Sequence, residues 1–210
     1  MDTDDFITML ANGAQPARRL TPAWIPVAAA AIASLVLMAA TVGLRTDLAM
    51  LAMAPRFWIK LVFVAALALL GWRMLAVVAI PGARFGTLPW QLTAPFVLMA
   101  LAAAATLQGV EPAARAQQFW GTTWRSCPFI IAFLALPIFA AMLHTMRARA
   151  PTRLRTAGAI AGFAAGAFAA AMYCLHCPEL APSFVGVWYV AGILIPTTIG
   201  ALIGPSVLAW

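Results

Sequence analysis

Apolar residues gather in six runs, at residues 23–44, 57–80, 88–107, 126–146, 155–175 and 184–208, and nearly every charge falls between them. Each run is close to the ~20 residues that a helix rising ~1.5 Å per residue needs to cross a ~30 Å hydrocarbon core. A water-soluble fold of 210 residues has too little remaining chain to cover six such runs. In lipid the difficulty vanishes, because each helix satisfies its own backbone groups. The pattern predicts an all-α, polytopic membrane bundle of six transmembrane helices over residues 23–210, preceded by a cytoplasmic amphipathic tail over residues 1–22.

Composition adds that hydrophobic residues make up 64% of the chain and charged ones 9%, against roughly 25% charged in an average soluble domain. That leaves no room for a separate folded soluble domain. The first run is too long for the apolar core of a cleavable secretion signal. A segment carrying Asp2, Asp4 and Asp5 precedes it, so it reads as a retained helix.

The net charge of +7 does not change the class. With the N-terminus inside, the cytoplasmic side carries Arg18, Arg19, Arg73, Arg84, Arg147, Arg149, Arg153 and Arg155. The outer side carries Arg45, Arg56, Lys60, Arg115 and Arg125. Eight cations against five place both termini in the cytoplasm. These arginines face anionic lipid headgroups, and no direct binding to nucleic acid is expected.

The 108–125 loop holds Phe119, Trp120 and Trp124, which read as interfacial anchors together with Trp24, Trp58, Trp90 and Trp188. Gly158, Gly162 and Gly166 recur at four-residue spacing in the fifth run and open a groove for a neighbouring helix. Pro95, Pro137 and Pro196 lie inside runs. Lys60 and Arg73 sit near opposite ends of the second run, where long side chains reach the interface. No carboxylate lies inside a run, so a coupled transporter would lack an obvious carrier.

The three cysteines are more telling. Cys127 opens the fourth run, and Cys174 and Cys177 close the fifth, all at the expected outer ends and beside His176. A disulfide between the two helices is one option. Capture of a soft metal ion by two or three thiolates with His176 is a second. Simple packing of small apolar side chains is a third.

In the tail, Asp2 or Thr3 can cap a short helix whose first turn holds Asp4 and Asp5. Phe6, Met9 and Leu10 form one apolar stripe, and Gly13 and Pro16 end the helix. Helices that lie on anionic membranes favour Lys and Arg on the polar face, whereas this face is acidic. A partner protein with a basic, apolar groove fits better.

Several stretches together resemble a known family. They are Thr3-Asp4-Asp5-Phe6-Ile7 through Pro16-Ala17-Arg18-Arg19-Leu20, then Gly121-Thr122-Thr123-Trp124-Arg125-Ser126-Cys127, and Ala150-Pro151 before the glycine-stepped run. The most specific is His176-Cys177-Pro178-Glu179 with Phe184 and Trp188-Tyr189. The chain resembles the negative regulator of sigma F (NrsF) family of six-helix membrane anti-sigma factors of bacteria. The resemblance implies a protein of the inner membrane whose cytoplasmic tail holds an extracytoplasmic-function sigma factor. It also implies that Cys127 and Cys177 sense metal or oxidative stress. Cys174 is outside the family pattern, and the chain ends in Ala209-Trp210 where members often carry Arg-Trp.

The expected protein is therefore a non-catalytic signalling protein with no cofactor beyond a soft metal ion at the cysteines. It releases its sigma factor when the outer thiols react. The alternative is a membrane thiol oxidoreductase that passes electrons from Cys174-x-x-Cys177 to a quinone.

Overall fold

The computed structural model describes residues 2–13 and 22–209, with the side chains of residues 10, 12 and 13 outside the description. The Leu10 side chain, the Pro16 stop, Arg18, Arg19 and the terminal Trp210 therefore lie outside the described residues. Every regular element among the described residues is helical. Six helices are long and apolar enough to cross a membrane: α2 (Trp24–Thr41), α4 (Pro55–Val78), α5 (Leu88–Gln108), α7 (Cys127–Arg147), α8 (Leu154–Tyr173) and a last one over Pro182–Val207. They match the six apolar runs to within about a turn, as expected when hydrocarbon thickness sets their length.

Proline in the first turn helps fix where helices begin: Pro55, Pro89, Pro128 and Pro182 stand where the missing N–H costs nothing. Helix α2 ends when the Val42 and Gly43 amides both bond to the Met38 carbonyl, with Gly43 at φ +84°. Pro95, Pro137 and Pro196 lie within continuous helices.

Three features depart from the apolar pattern. A short helix α3 (Leu48–Ala52) occupies the first connection, and a second, α6 (Pro112–Trp120), occupies much of the 108–125 loop. Both are too short to announce themselves as spans. The last span is also not uniform: a short α9 (Pro182–Phe184) passes through a π-helical stretch, Val185–Tyr189, into α10 (Val190–Val207). Such π-turns are often found at functional sites.

Helix α8 is the axis of the bundle, packed against α10, α4, α7 and α2. Its sequence explains this, because alanine and glycine let neighbouring backbones come close. In lipid, close van der Waals packing has to supply what the hydrophobic effect supplies in water. Gly158, Gly162 and Gly166 face α10. A Cβ at Gly158 would be driven into the Gly200 carbonyl, and one at Gly162 into the Pro196 carbonyl. Between α2 and α7 a buried hydrogen bond adds to packing, with the Ser34 hydroxyl donating to the Leu134 carbonyl at 2.9 Å. Helix α5 is peripheral, and Met99 is its one buried residue.

The up-and-down course brings three connections, residues 42–54, 109–126 and 174–181, to the same end of the bundle. There they form a cap over the helix ends, and the three cysteines lie under it.

Candidate thiol site

The site begins with the turn that follows α8. The Cys174, His176 and Cys177 amides bond back to the Ala170 and Tyr173 carbonyls, which curls the chain over the helix end. His176 Nδ1 lies 2.9 Å from the Gly43 carbonyl. A carbonyl only accepts, so Nδ1 carries the proton there. His176 thus ties the turn to the connection after α2, and the Arg45 amide bonds to the Leu175 carbonyl beside it.

The other side of the turn is held by Glu179. Its Oε1 accepts from the Thr122 amide at 2.7 Å and from the Thr122 hydroxyl at 2.8 Å. Gly121 makes this grip possible. It sits at φ +56°, and a Cβ there would lie 2.7 Å from the Glu179 carboxyl carbon and 2.8 Å from the Phe184 ring. The Gly121-Thr122 and Pro178-Glu179 segments of the family pattern are thus two halves of one contact.

Beneath these straps all three cysteines are buried and free. The neighbouring Cys127 thiol holds Cys177 below the ordinary thiol range. Burial opposes the shift, and the charge on Lys60 adds to it. The Thr123 hydroxyl stands 3.9 Å from the Cys177 sulfur. Cys174 is used differently, since its thiol donates to the Ala170 carbonyl at 3.3 Å within its own helix turn. Cys177 in the turn and Cys127 at the start of α7 thus lie together beneath the cap, while Cys174 is turned back into α8.

Among the described residues no group of three or more His, Cys, Asp or Glu side chains could hold a metal ion. His176, expected beside the thiols as a further ligand, gives its Nδ1 proton to the Gly43 carbonyl and keeps Nε2 uncommitted.

Lys60 departs from the sequence expectation. Instead of reaching the interface, it is 1% exposed. Its ammonium donates to the Cys177 carbonyl at 3.2 Å and to the Glu179 carbonyl at 3.0 Å, and lies 4.8 Å from the centre of the Tyr189 ring. From sequence, a lysine about one turn into an apolar run is indistinguishable from one that extends to the headgroups. Only the fold of the 174–181 turn shows which carbonyls are in reach. The Tyr189 hydroxyl is also buried here, without a hydrogen-bond partner among the described residues.

Four of the aromatic residues read as interfacial anchors form one cluster. Trp188, from the π-helical stretch, stacks among Phe119, Trp120 and Trp124 with ring centroids 5.2–6.3 Å apart, and its indole donates to the Phe119 carbonyl at 3.0 Å. The cluster glues the 109–126 connection to the last span.

The tail forms α1 (Thr3–Gly13). The Asp2 side chain accepts from the Thr3 amide at 2.9 Å, and Asp4 and Asp5 occupy the first turn. Phe6 is 43% exposed and Met9 56%.

Fold and site together define a class: a helical multi-pass membrane protein with a thiol pair under the loops at one end and an acidic, apolar-striped helix at its N-terminus. Within that class, the chain belongs to the family described as negative regulator of sigma F, whose model matches residues 10–210. It is 44% identical, over the full length of both chains, to a protein of Azospira oryzae named probable anti-sigma-F factor NrsF. It is 34% identical, again over both full lengths, to the anti-sigma-F factor NrsF of Caulobacter vibrioides. No solved structure matches the chain.

Proposed function

We propose that this protein is a membrane-anchored anti-sigma factor of the bacterial inner membrane. Its cytoplasmic N-terminal helix holds an extracytoplasmic-function sigma factor until an oxidant converts Cys127 and Cys177 to a disulfide on the opposite face. The observation that carries the first half is the full-length similarity to two proteins named as anti-sigma-F factors. The exposed Phe6 and Met9 on an acidic helix supply a surface for the partner. The thiol half rests on the Cys127–Cys177 contact under a cap tied to several helices. The role is regulatory, with no reaction turned over.

The test is retention of the sigma factor on membranes that contain the full-length protein. Burying a large apolar side chain is worth about 1.5–3 kcal/mol, so Phe6→Ala with Leu10→Ala should weaken retention by tens-fold or more. Asp4→Lys with Asp5→Lys should weaken it further if the partner groove is basic. Unchanged retention by the Phe6, Leu10 double variant would remove the tail from the binding role.

A further inference from the structure

Lys60 is a cation inside a membrane helix with no carboxylate beside it. Its three contacts are two backbone carbonyls and an aromatic face. The single ion pair among the described residues, Arg45 with Asp47, does not include Lys60, although Arg45 also faces the Cys177 turn. A buried charge without a counter-charge is strongly disfavoured, so the site has to supply a negative group. The titratable groups around Lys60 are Cys127 on α7, Cys174 at the end of α8, Cys177 in the turn, and Tyr189 on the π-helical stretch. Glu179 offers Lys60 its carbonyl while its carboxylate is turned to Thr122. The Tyr189 ring lies under Lys60, and its buried hydroxyl has no hydrogen-bond partner among the described residues. A thiolate at Cys177, whose own carbonyl Lys60 holds, would complete this arrangement.

We propose that Lys60 is the counter-charge of the thiol pair, and that forming the Cys127–Cys177 disulfide loosens the cap because it strips that ammonium of its anion. The inference rests on the thiol-switch reading above and names the residue through which the switch acts. With a peroxide as oxidant, the Cys177 thiolate attacks one peroxide oxygen. An S–O bond forms, the O–O bond breaks and hydroxide leaves. The Cys127 thiol then attacks the Cys177 sulfur. An S–S bond forms, the S–O bond breaks, and water leaves with the Cys127 proton. Two electrons pass from the two sulfurs to the peroxide, and the negative charge of the site departs as hydroxide. Lys60 is left as an unbalanced cation, bonded to both carbonyls that hold the 177–179 segment over the helices. Relief requires that the ammonium leave those carbonyls for water, and the cap loosens. Lys60 is thus a positioning residue, set to make the cap sensitive to the charge of the pair.

The experiment uses the full-length protein in lipid nanodiscs. The ultraviolet thiolate absorbance of wild type minus that of Cys177→Ser is titrated from about pH 4 to about pH 10, bracketing the free-thiol value of ~8.5. It is repeated with Lys60→Met and Lys60→Arg, each against its own Cys177→Ser control. Lys60→Met should move the midpoint up by about one unit or more, and Lys60→Arg, which keeps the charge, should hold it near wild type. In wild type, peroxide should speed amide hydrogen exchange over residues 174–181 by about tenfold or more, as expected of a segment whose local stability falls. A midpoint indifferent to Lys60→Met, or exchange indifferent to oxidation, overturns the proposal. Should Lys60→Met fail to fold, the wild-type exchange measurement decides alone. A Lys60-dependent midpoint and a loosened cap, without loss of the sigma factor, would leave the role of Lys60 standing and end the signalling reading.

Discussion

A thiol under a cap of loops ionises only when something opposes the loss of solvation around its anion. For Cys177 that opposition comes first from the Cys127 thiol and then from the Lys60 ammonium. The thiolate is the nucleophile that oxidants meet, so in the proposed switch Cys177 reacts first and Cys127 resolves it. Cys174 lies three residues away and is bonded to Ala170 in its own helix turn, which removes it from the exchange. Serine at Cys127 or at Cys177 should therefore blunt oxidant-induced loss of the sigma factor. Serine at both should do no worse than the more severe single change, since residues acting as one unit are not additive. Serine at Cys174 should leave the response nearly intact. Retention assays on membranes carrying the four variants make the comparison. Loss of response in Cys174→Ser but not in Cys177→Ser would move the reactive pair to the Cys-x-x-Cys segment and revive a thiol oxidoreductase.

At the scale of elements, the contact between α8 and α10 decides whether the bundle closes. Its fit is backbone to backbone at Gly158 and Gly162, where an added methyl meets a carbonyl and not a side chain that could turn aside. Overpacking of this kind costs about 1–3 kcal/mol or more. Gly158→Ala and Gly162→Ala should each lower the thermal midpoint in detergent. Gly109→Ala, where the nearest atom to the new Cβ is 3.9 Å away, should leave it unchanged. Equal midpoints for all three variants would mean that α8 and α10 do not meet along this line. The same elements show what a sequence can disclose. Six spans were legible because hydrocarbon thickness sets a length that apolar runs must match. The four-residue glycine step was legible because close approach needs small residues on one face. The position of the three cysteines at one end followed from counting helices. The contacts that make a site of them did not. The bonds from Lys60 to two carbonyls, from Glu179 to Thr122 and from His176 to Gly43 join residues more than fifty positions apart. Nothing in local spacing records such bonds. The π-helical stretch that aims Trp188 and Tyr189 is equally a product of tertiary packing.

At the scale of the whole molecule, the thiol pair and the N-terminal helix lie on opposite sides of a ~30 Å hydrocarbon layer in the proposed topology, so no direct contact can link them. What joins them is α8, which ends at the Cys174–Cys177 turn, packs along its length against α10, α4, α7 and α2, and begins beside the Arg147–Arg155 connection near the membrane face assigned to the tail. If oxidation weakens sigma-factor binding through this frame, linkage requires that the sigma factor resist oxidation by the same factor. The consequence is quantitative. A two-electron couple shifts by ~30 mV for each tenfold difference in affinity between its reduced and oxidised forms. The midpoint potential of the Cys127–Cys177 pair should therefore rise when the sigma factor saturates the full-length protein in nanodiscs, by ~30 mV for tenfold weaker binding after oxidation and ~60 mV for a hundredfold. Titration in a glutathione redox buffer, with the two thiols scored by mass spectrometry after alkylation, reads that shift. The Phe6→Ala, Leu10→Ala variant supplies the control, because a tail that cannot hold the sigma factor cannot transmit its presence to the thiols. A potential that stays fixed in wild type at saturation would show that the pair and the tail are not coupled at equilibrium, whatever the oxidant does to the cap.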